Sequence, residues 1–148
     1  DIDNNVKTQK SPCQNLPEHI KLKNNQELMD SLHGLISNYI NTINAVCFNG
    51  WNGYTYVKFN KYNVGNLMEK HIDHIHNIFD GNTRGIPILS IIGLLDDNFE
   101  GGEIEMFNDT KIKLKAGEVL IFPSNFQYPH MVCPVTKGTR YSFVSWVY

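Results

Sequence analysis

Eight short segments rich in Val, Ile, Tyr and Phe follow one another between Gly53 and Tyr148, separated by Gly, Asn, Asp and Pro. They read GYTYVKFNKYN, LMEKHIDHI, IPILSIIGLLD, GEIEMFN, TKIKLKA, EVLIFPS, HMVCPV and RYSFVSWVY. Strands of this length at this spacing are typical of an antiparallel sandwich or barrel. The stretch KIKLKAGEVLIF predicts a hairpin, with its turn at Ala116-Gly117. The sequence therefore predicts a mainly β fold.

One helix is predicted ahead of the strands. From Asn25 to Ile43, apolar residues recur every three or four positions, as on one face of an amphipathic helix. Asn24, with Glu27 three residues later, is a candidate cap for its start. We interpret LPEHIKL as an early strand or sheet edge and the polar residues 1–15 as a loosely ordered lead-in. The whole chain, residues 1–148, is expected to form a single domain.

The charge, cysteine content and hydropathy of the sequence bear on whether it binds nucleic acid or a membrane and on the compartment in which it works. Lys and Arg total 13 against 15 acidic residues, for a net charge of −2, and no basic block occurs. Nucleic acid is therefore a disfavoured partner. The three cysteines lack the spacing of a disulfide framework or a thiolate zinc site, which favours the cytoplasm. No apolar run has the roughly 18 residues that a membrane span needs, so no membrane association is expected.

The densest polar cluster is MEKHIDHIHNIFD, residues 68–80. Successive side chains of an extended segment point to opposite faces. His71 and Asp73 therefore share one face, whereas His74 and His76 share the other. A metal site could use either pair, and the choice requires a third group from elsewhere in the chain.

The last third of the chain supplies a third group. His130 begins a predicted strand, a turn is expected around Pro-Val and Lys-Gly, and Arg140 opens the final strand ten residues later. A His and an acid on one strand, with a distant His, make up the 2-His-1-carboxylate arrangement that binds Fe(II) and leaves three coordination positions open. A chelating keto acid can take two of these positions and oxygen the third. A nearby arginine could hold the far carboxylate of that keto acid.

Four stretches in this order, YNVGNLMEKHID, GLLDDNFEGGEIEMF, KAGEVLIFPS and HMVCPVTKGTR, resemble the iron(II)- and 2-oxoglutarate-dependent dioxygenases, specifically the prolyl 4-hydroxylase branch. The resemblance covers about Tyr54 to Tyr148. It implies a double-stranded β-helix, or jelly roll, supported by helices. It also implies Fe(II), 2-oxoglutarate and O₂ as cofactor and co-substrates, with ascorbate as an optional accessory.

The resemblance also implies roles for individual residues. His71, Asp73 and His130 are expected to bind iron, as metal ligands and catalytic residues. Arg140 is expected to pair with the distal carboxylate of 2-oxoglutarate, where other members use lysine. The co-substrate pocket would further include Tyr62 and Ser142, and substrate contacts are expected from Arg84 and Trp146.

Two positions depart from the family pattern. Met68 stands where prolyl hydroxylases often have a tyrosine, and Leu94 stands where some members contact 2-oxoglutarate through a tyrosine. Both departures bear on the substrate more than on the metal.

The expected function is hydroxylation of peptidyl proline in a proline-containing peptide or protein, with release of succinate and CO₂. The same cofactor chemistry on another side chain, a free amino acid or a nucleic-acid base is the enzymatic alternative. A cupin-like binding domain that uses His74 and His76, and an inactive interaction domain, are the non-enzymatic alternatives.

Overall fold

The structure, a computed structural model, describes residues 18–43, 53–73, 86–107 and 109–148, and within the helix it describes side chains from Gln26 onward. One helix precedes ten strands. They are α1 (Glu18–Thr42), β1 (Lys58–Tyr62), β2 (Met68–His71), β3 (Leu89–Leu94), β4 (Phe99–Gly101), β5 (Ile104–Met106), β6 (Thr110–Ile112), β7 (Val119–Pro123), β8 (His130–Val132), β9 (Val135–Gly138) and β10 (Arg140–Val147).

Two antiparallel four-stranded sheets form the body of the protein. One has the strand order β1-β10-β3-β7 and the other the order β2-β8-β5-β6, while β4 and β9 form a separate two-stranded ribbon. Apart from β5 and β6, which pair with each other, consecutive strands fall in different sheets, as expected when a chain winds between the two layers of a jelly roll. The prediction of a mainly β jelly roll with a supporting helix is therefore confirmed.

The helix packs against the β1-β10-β3-β7 sheet. Leu32 and Ile36, one turn apart, are fully buried and join a cluster of apolar side chains from β3 and β10. The hydroxyl of Tyr54 donates a hydrogen bond to the Met29 carbonyl at 2.7 Å, which ties the chain before β1 to the helix. The helix thus covers one face of this sheet, and the opposite face is left to line the interior between the sheets.

The predicted start of the helix is wrong. The helix begins at Glu18, so residues 18–22 of LPEHIKL are helical instead of forming a strand, and Asn24 lies inside the helix instead of capping it. Glu, Lys and Leu are good helix formers, and neither Gly nor Pro interrupts them after Glu18. These propensities extend the helix beyond the part whose apolar stripe is visible in the sequence.

The predicted hairpin at Ala116-Gly117 is also wrong in its pairing. A turn is present, with Gly117 at φ 82° and a hydrogen bond of 3.0 Å from the Glu118 amide to the Lys115 carbonyl. However, β6 pairs with β5, and β7 pairs with β3 in the other sheet. The amides of Gly117 and Leu94 bond to the carbonyls of Leu94 and Glu118 at 2.8 and 3.1 Å, so the chain joins β3 as soon as it leaves the turn.

The β4-β9 ribbon was not predicted, and residues 135–138 form β9 where a turn was expected. Each of its strands has only three or four residues, and their register shifts between Glu100 and Gly101. So short a segment carries too few residues for an alternating pattern to be recognised.

Among the described residues, no helix is long and apolar enough to span a membrane. The cytoplasmic assignment stays a prediction.

Candidate metal centre

Three predicted ligands converge between the two sheets. β2 and β8 are neighbours, and their register places His71 directly opposite His130, with ring centroids 4.4 Å apart. Asp73 follows two residues after His71, on the same face. Its Oδ1 lies 3.4 Å from His71 Nε2 and its Oδ2 lies 3.7 Å from His130 Nε2. One potential ligand atom from each of the three residues lies within 4.8 Å of the others.

Both imidazole rings are held with Nε2 directed towards this point. His71 Nδ1 donates to the Glu69 carbonyl at 2.7 Å, and His130 Nδ1 donates to the Tyr128 carbonyl at 3.2 Å. Since a carbonyl oxygen can only accept, the proton of each neutral ring resides on Nδ1, and Nε2 presents its lone pair. Metal-binding histidines are commonly oriented by such a bond from their other nitrogen. The donor set therefore fits a divalent metal ion.

Asp73 is held in its ionised form. Burial opposes the charge of its carboxylate, but donation from the protonated ring of His71, hydrogen bonds from Ser90 and Trp146 and the field of His130 outweigh burial and lower its pKa to about 2. The Ser90 hydroxyl donates to Asp73 Oδ2 at 2.6 Å. An ionised carboxylate beside imidazole nitrogens is the composition that a non-haem Fe(II) site requires.

The two imidazoles differ in protonation. A hydrogen bond to Asp73 raises the pKa of His71 above 6.5, although desolvation opposes this shift. Burial lowers the pKa of His130 below 6.5, against the attraction of Asp73. His130 is therefore neutral at neutral pH and ready to bind a metal. A larger fraction of His71 than of an isolated histidine is protonated at the same pH, and this proton must leave before a metal binds.

A cavity of about 180 Å³ extends from the three ligands between the sheets. Arg140 lines it, although its side chain is only 2% exposed. One guanidinium nitrogen donates to the Ser142 hydroxyl at 2.7 Å, and the guanidinium carbon lies 5.2 Å from the centre of the Tyr62 ring. Arg140 Nε is buried and has no hydrogen-bond partner among the described residues. A buried cation that lines a cavity is suited to binding an anion.

Most of the predicted site residues meet at this cavity. Its lining includes the predicted ligands His71, Asp73 and His130 and the predicted pocket residues Tyr62, Arg140, Ser142 and Trp146. Met68 lines the cavity too. Leu94 is buried but lines a separate space of about 10 Å³ near Arg140. Arg84, His74 and His76 lie outside the described residues.

Sequence reasoning missed three polar residues at or beside this cavity. Asn60, 7% exposed, lines it, and its buried amide oxygen has no partner among the described residues. Its alternation with Tyr62 on β1 was an available signal. Ser90 and Ser124, behind Asp73, are both buried. Ser90 is the only polar side chain in the run IPILSIIGLL, and this was a second available signal.

A jelly roll with two histidines and one carboxylate between its sheets, beside a buried arginine, defines the class of non-haem iron oxygenases. Comparison with known families agrees, because the 2OG-Fe(II) oxygenase superfamily matches residues 57–148. The chain therefore belongs to this superfamily, whose members use Fe(II), 2-oxoglutarate and O₂. The family predicted from the sequence is confirmed.

Curated relatives are PKHD-type hydroxylases. One from Synechococcus sp. (strain CC9311) is 37% identical over 78 residues, which cover 50% of this chain and 34% of that protein. Another, from Hyphomonas neptunium, is 41% identical over 54 residues, or 34% of this chain and 23% of that protein. The chain thus matches about a third or less of the length of these relatives. The expectation of a single domain over residues 1–148 stays a prediction.

Solved structures share the fold. A viral collagen prolyl hydroxylase from Paramecium bursaria Chlorella virus-1, in complex with 2-oxoglutarate, aligns with a TM-score of 0.66 and 22% identity, over 82% of this chain and 72% of that one. A prolyl-4-hydroxylase from Pseudomonas putida aligns with a TM-score of 0.59 and 23% identity, over 80% and 63% of the two chains. At this level of identity the likeness shows the fold.

Proposed function

We propose that this chain is a 2-oxoglutarate-dependent dioxygenase that hydroxylates peptidyl proline, with His71, Asp73 and His130 as its Fe(II) ligands. The observation that carries the proposal is the pairing of two features in one cavity. The three proposed ligands converge at this cavity, and the buried cation of Arg140 also lines it. A dicarboxylic keto acid can bridge a metal ion and an arginine in this way.

When bound, Fe(II) activates O₂ for a reaction that couples decarboxylation of 2-oxoglutarate to succinate and CO₂ with hydroxylation of a carbon. The protein's share of the reaction is binding, orientation and exclusion of water. The Nδ1 bonds of His71 and His130 keep the Nε2 lone pairs on the metal side. The low pKa of Asp73 keeps its carboxylate charged, so it would offset one of the two positive charges of Fe(II), while the neutral imidazoles would donate lone pairs.

Arg140 is the residue that we assign to the distal carboxylate of the co-substrate. The Ser142 hydroxyl fixes one end of its guanidinium, and the Tyr62 ring lies against it, so the fork is oriented before the anion arrives. A pre-oriented guanidinium loses little conformational entropy on binding and forms charge-assisted hydrogen bonds. Asn60, in the same cavity, adds an amide that can bond to a ligand or to water.

Peptidyl proline is proposed as the substrate because the curated relatives are named PKHD-type hydroxylases and the solved relatives include prolyl hydroxylases. The formal charge of −2 disfavours the nucleic-acid alternative. We retain Trp146 and Arg84 as proposed substrate residues, and Trp146 has a second role as a hydrogen-bond donor to Asp73.

Succinate release from 2-oxoglutarate tests the proposal. The purified chain, with Fe(II) and ascorbate in air, is given a panel of proline-containing peptides, free amino acids and methylated oligonucleotides. We expect succinate with peptides and a mass increase of one oxygen on proline. His71→Ala should abolish both signals. Turnover with oligonucleotides alone would support the enzymatic alternative, and no turnover with any substrate would support an inactive interaction domain.

A further inference from the structure

Two buried serines behind Asp73 form a directed hydrogen-bonded chain. Ser90 lies on β3 and Ser124 directly follows β7, and each is 1% exposed. Ser90 Oγ lies 2.6 Å from Asp73 Oδ2 and 2.7 Å from Ser124 Oγ. A hydroxyl has a single proton to donate, and an ionised carboxylate can only accept. Ser90 must therefore donate to Asp73, and Ser124 must donate to Ser90.

The hydrogen bonds from Ser124 to Ser90 and from Ser90 to Asp73 link a central strand of one sheet to the segment that follows β2 of the other sheet. β2 ends at His71, so Asp73 is held by no strand pairing of its own. Ser90, in contrast, lies on a central strand that is paired on both sides, with β10 and with β7. The serine pair therefore anchors a carboxylate outside the strands to the most extensively paired part of the opposite sheet.

The serine pair also makes the two carboxylate oxygens of Asp73 unequal. Oδ2 accepts from Ser90 at 2.6 Å and lies 3.7 Å from His130 Nε2, whereas Oδ1 lies 3.4 Å from His71 Nε2. Each carboxylate oxygen has two lone pairs, so the Ser90 bond leaves both oxygens able to bind a metal ion. The bond does, however, fix the rotation of the carboxylate relative to the two imidazoles.

We propose that Ser90, oriented by Ser124, is a positioning residue that holds the Asp73 carboxylate in one orientation towards the metal site. This inference rests on the proposed metal centre. It assigns a function to the one polar residue in a strand that is otherwise apolar. Loss of such an outer partner of a metal ligand typically weakens metal binding by about 10- to 100-fold.

Calorimetric titration of the full chain with Mn(II) tests the proposal. Mn(II) is a divalent ion that supports no catalysis under these conditions, so the titration measures binding alone. Ser90→Ala should weaken Mn(II) binding by about 10- to 100-fold. Ser124→Ala should weaken it less, because Ser124 acts through Ser90. For the same reason the double variant should match Ser90→Ala instead of showing the product of the two losses.

The matched control is Ser145→Ala. Ser145 is also fully buried and hydrogen-bonded, but its hydroxyl donates to the Thr55 carbonyl at 2.7 Å and not to Asp73. We expect this variant to bind Mn(II) within twofold of the unaltered chain. The visible absorption of bound Co(II), which reports the coordination geometry, should change in Ser90→Ala and not in Ser145→Ala.

Two results would overturn the inference while leaving the metal centre intact. One is Mn(II) binding by Ser90→Ala within twofold of the unaltered chain, and the other is an equal loss in the Ser145→Ala control. If Ser90→Ala does not fold, the Ser124→Ala variant decides, and unchanged Mn(II) binding by it counts against the proposal. Failure of the unaltered chain to bind Mn(II), or unchanged binding by His71→Ala, would instead refute the proposed metal centre.

Discussion

Arg140→Met should weaken co-substrate binding and, at the same time, stabilise the protein without ligands. Arg140 is 2% exposed, its Nε has no partner among the described residues, and burial lowers the pKa of its guanidinium below the usual value. An arginine nevertheless stays charged. In the absence of an anion, the site therefore holds a cation that is incompletely satisfied, and an unsatisfied buried donor costs about 1–3 kcal/mol.

The magnitude for binding follows from the hydrogen bonds that an anion would gain. Two bonds from a guanidinium to a carboxylate, at about 1.5 kcal/mol each, contribute about 3 kcal/mol, which corresponds to roughly 150-fold in affinity. Methionine fills a similar volume without charge. We therefore expect the dissociation constant of 2-oxoglutarate to rise by roughly 150-fold, while the free energy of unfolding without ligands rises by about 1–3 kcal/mol.

Calorimetry of 2-oxoglutarate binding to the Mn(II)-loaded protein and urea unfolding of the metal-free protein measure the two effects separately. Arg140→Lys is the conservative control, and it should lose less affinity because it keeps the charge. Unchanged 2-oxoglutarate affinity in Arg140→Met would refute the assignment of the anion site. A large loss of stability in the same variant would show that Arg140 is satisfied in the fold and would refute the reasoning from its free donor.

Three other predictions follow from single contacts. Gly93→Ala should destabilise the protein by about 1–3 kcal/mol in urea unfolding, because an added Cβ would overlap the ring of Phe143 on β10, and an unchanged midpoint would contradict this packing. Affinity for Mn(II) should fall as the pH falls through the raised pKa of His71, because protons compete for Nε2, and a flat profile between pH 8 and about 6 would contradict that shift. The pKa of Asp73 is lowered from 3.8 to about 2, so it stabilises the metal-free fold above pH 3.8 by about 2 kcal/mol and loses this contribution as the pH falls towards 2. Asp73→Asn should remove that part of the acid dependence in urea unfolding.

The convergence of the proposed ligands was partly predictable from the sequence because it depends on local rules. The alternation of side chains along an extended segment places His71 and Asp73 on one face, and the structure confirms that they meet. The distant His130 was found by its position in a family-like order, and the register of β2 with β8 places it opposite His71. Local alternation, however, does not say which strands pair, and for that reason the hairpin at Ala116-Gly117 was predicted with the wrong partner.

The supporting polar residues were harder to predict because their function depends on contacts across the two sheets. Ser90 reads as a lone polar residue in an apolar strand, and only the packing of β3 against the segment after β2 brings it to Asp73. Likewise Asn60 faces the cavity because β1 pairs with β10, which places it opposite Ser142. Long-range pairing of this kind leaves no periodic pattern in the sequence.

The residues of the candidate site come from both sheets, so the packing of the sheets determines how these residues are placed. The β2-β8-β5-β6 sheet carries both imidazoles, while the opposite sheet carries the arginine and the first serine that holds Asp73. Neither sheet has a complete site, so the distance between the sheets sets the distance between the proposed metal and anion positions.

The same arrangement places polar side chains where a sandwich would otherwise be apolar, and these groups cost stability unless they are paired. Ser90 and Ser124 satisfy each other and Asp73, but the guanidinium of Arg140 keeps a donor unused. This difference in hydrogen bonding is expected if Ser90 supports a metal ligand at all times and Arg140 gains a further partner only when the co-substrate binds.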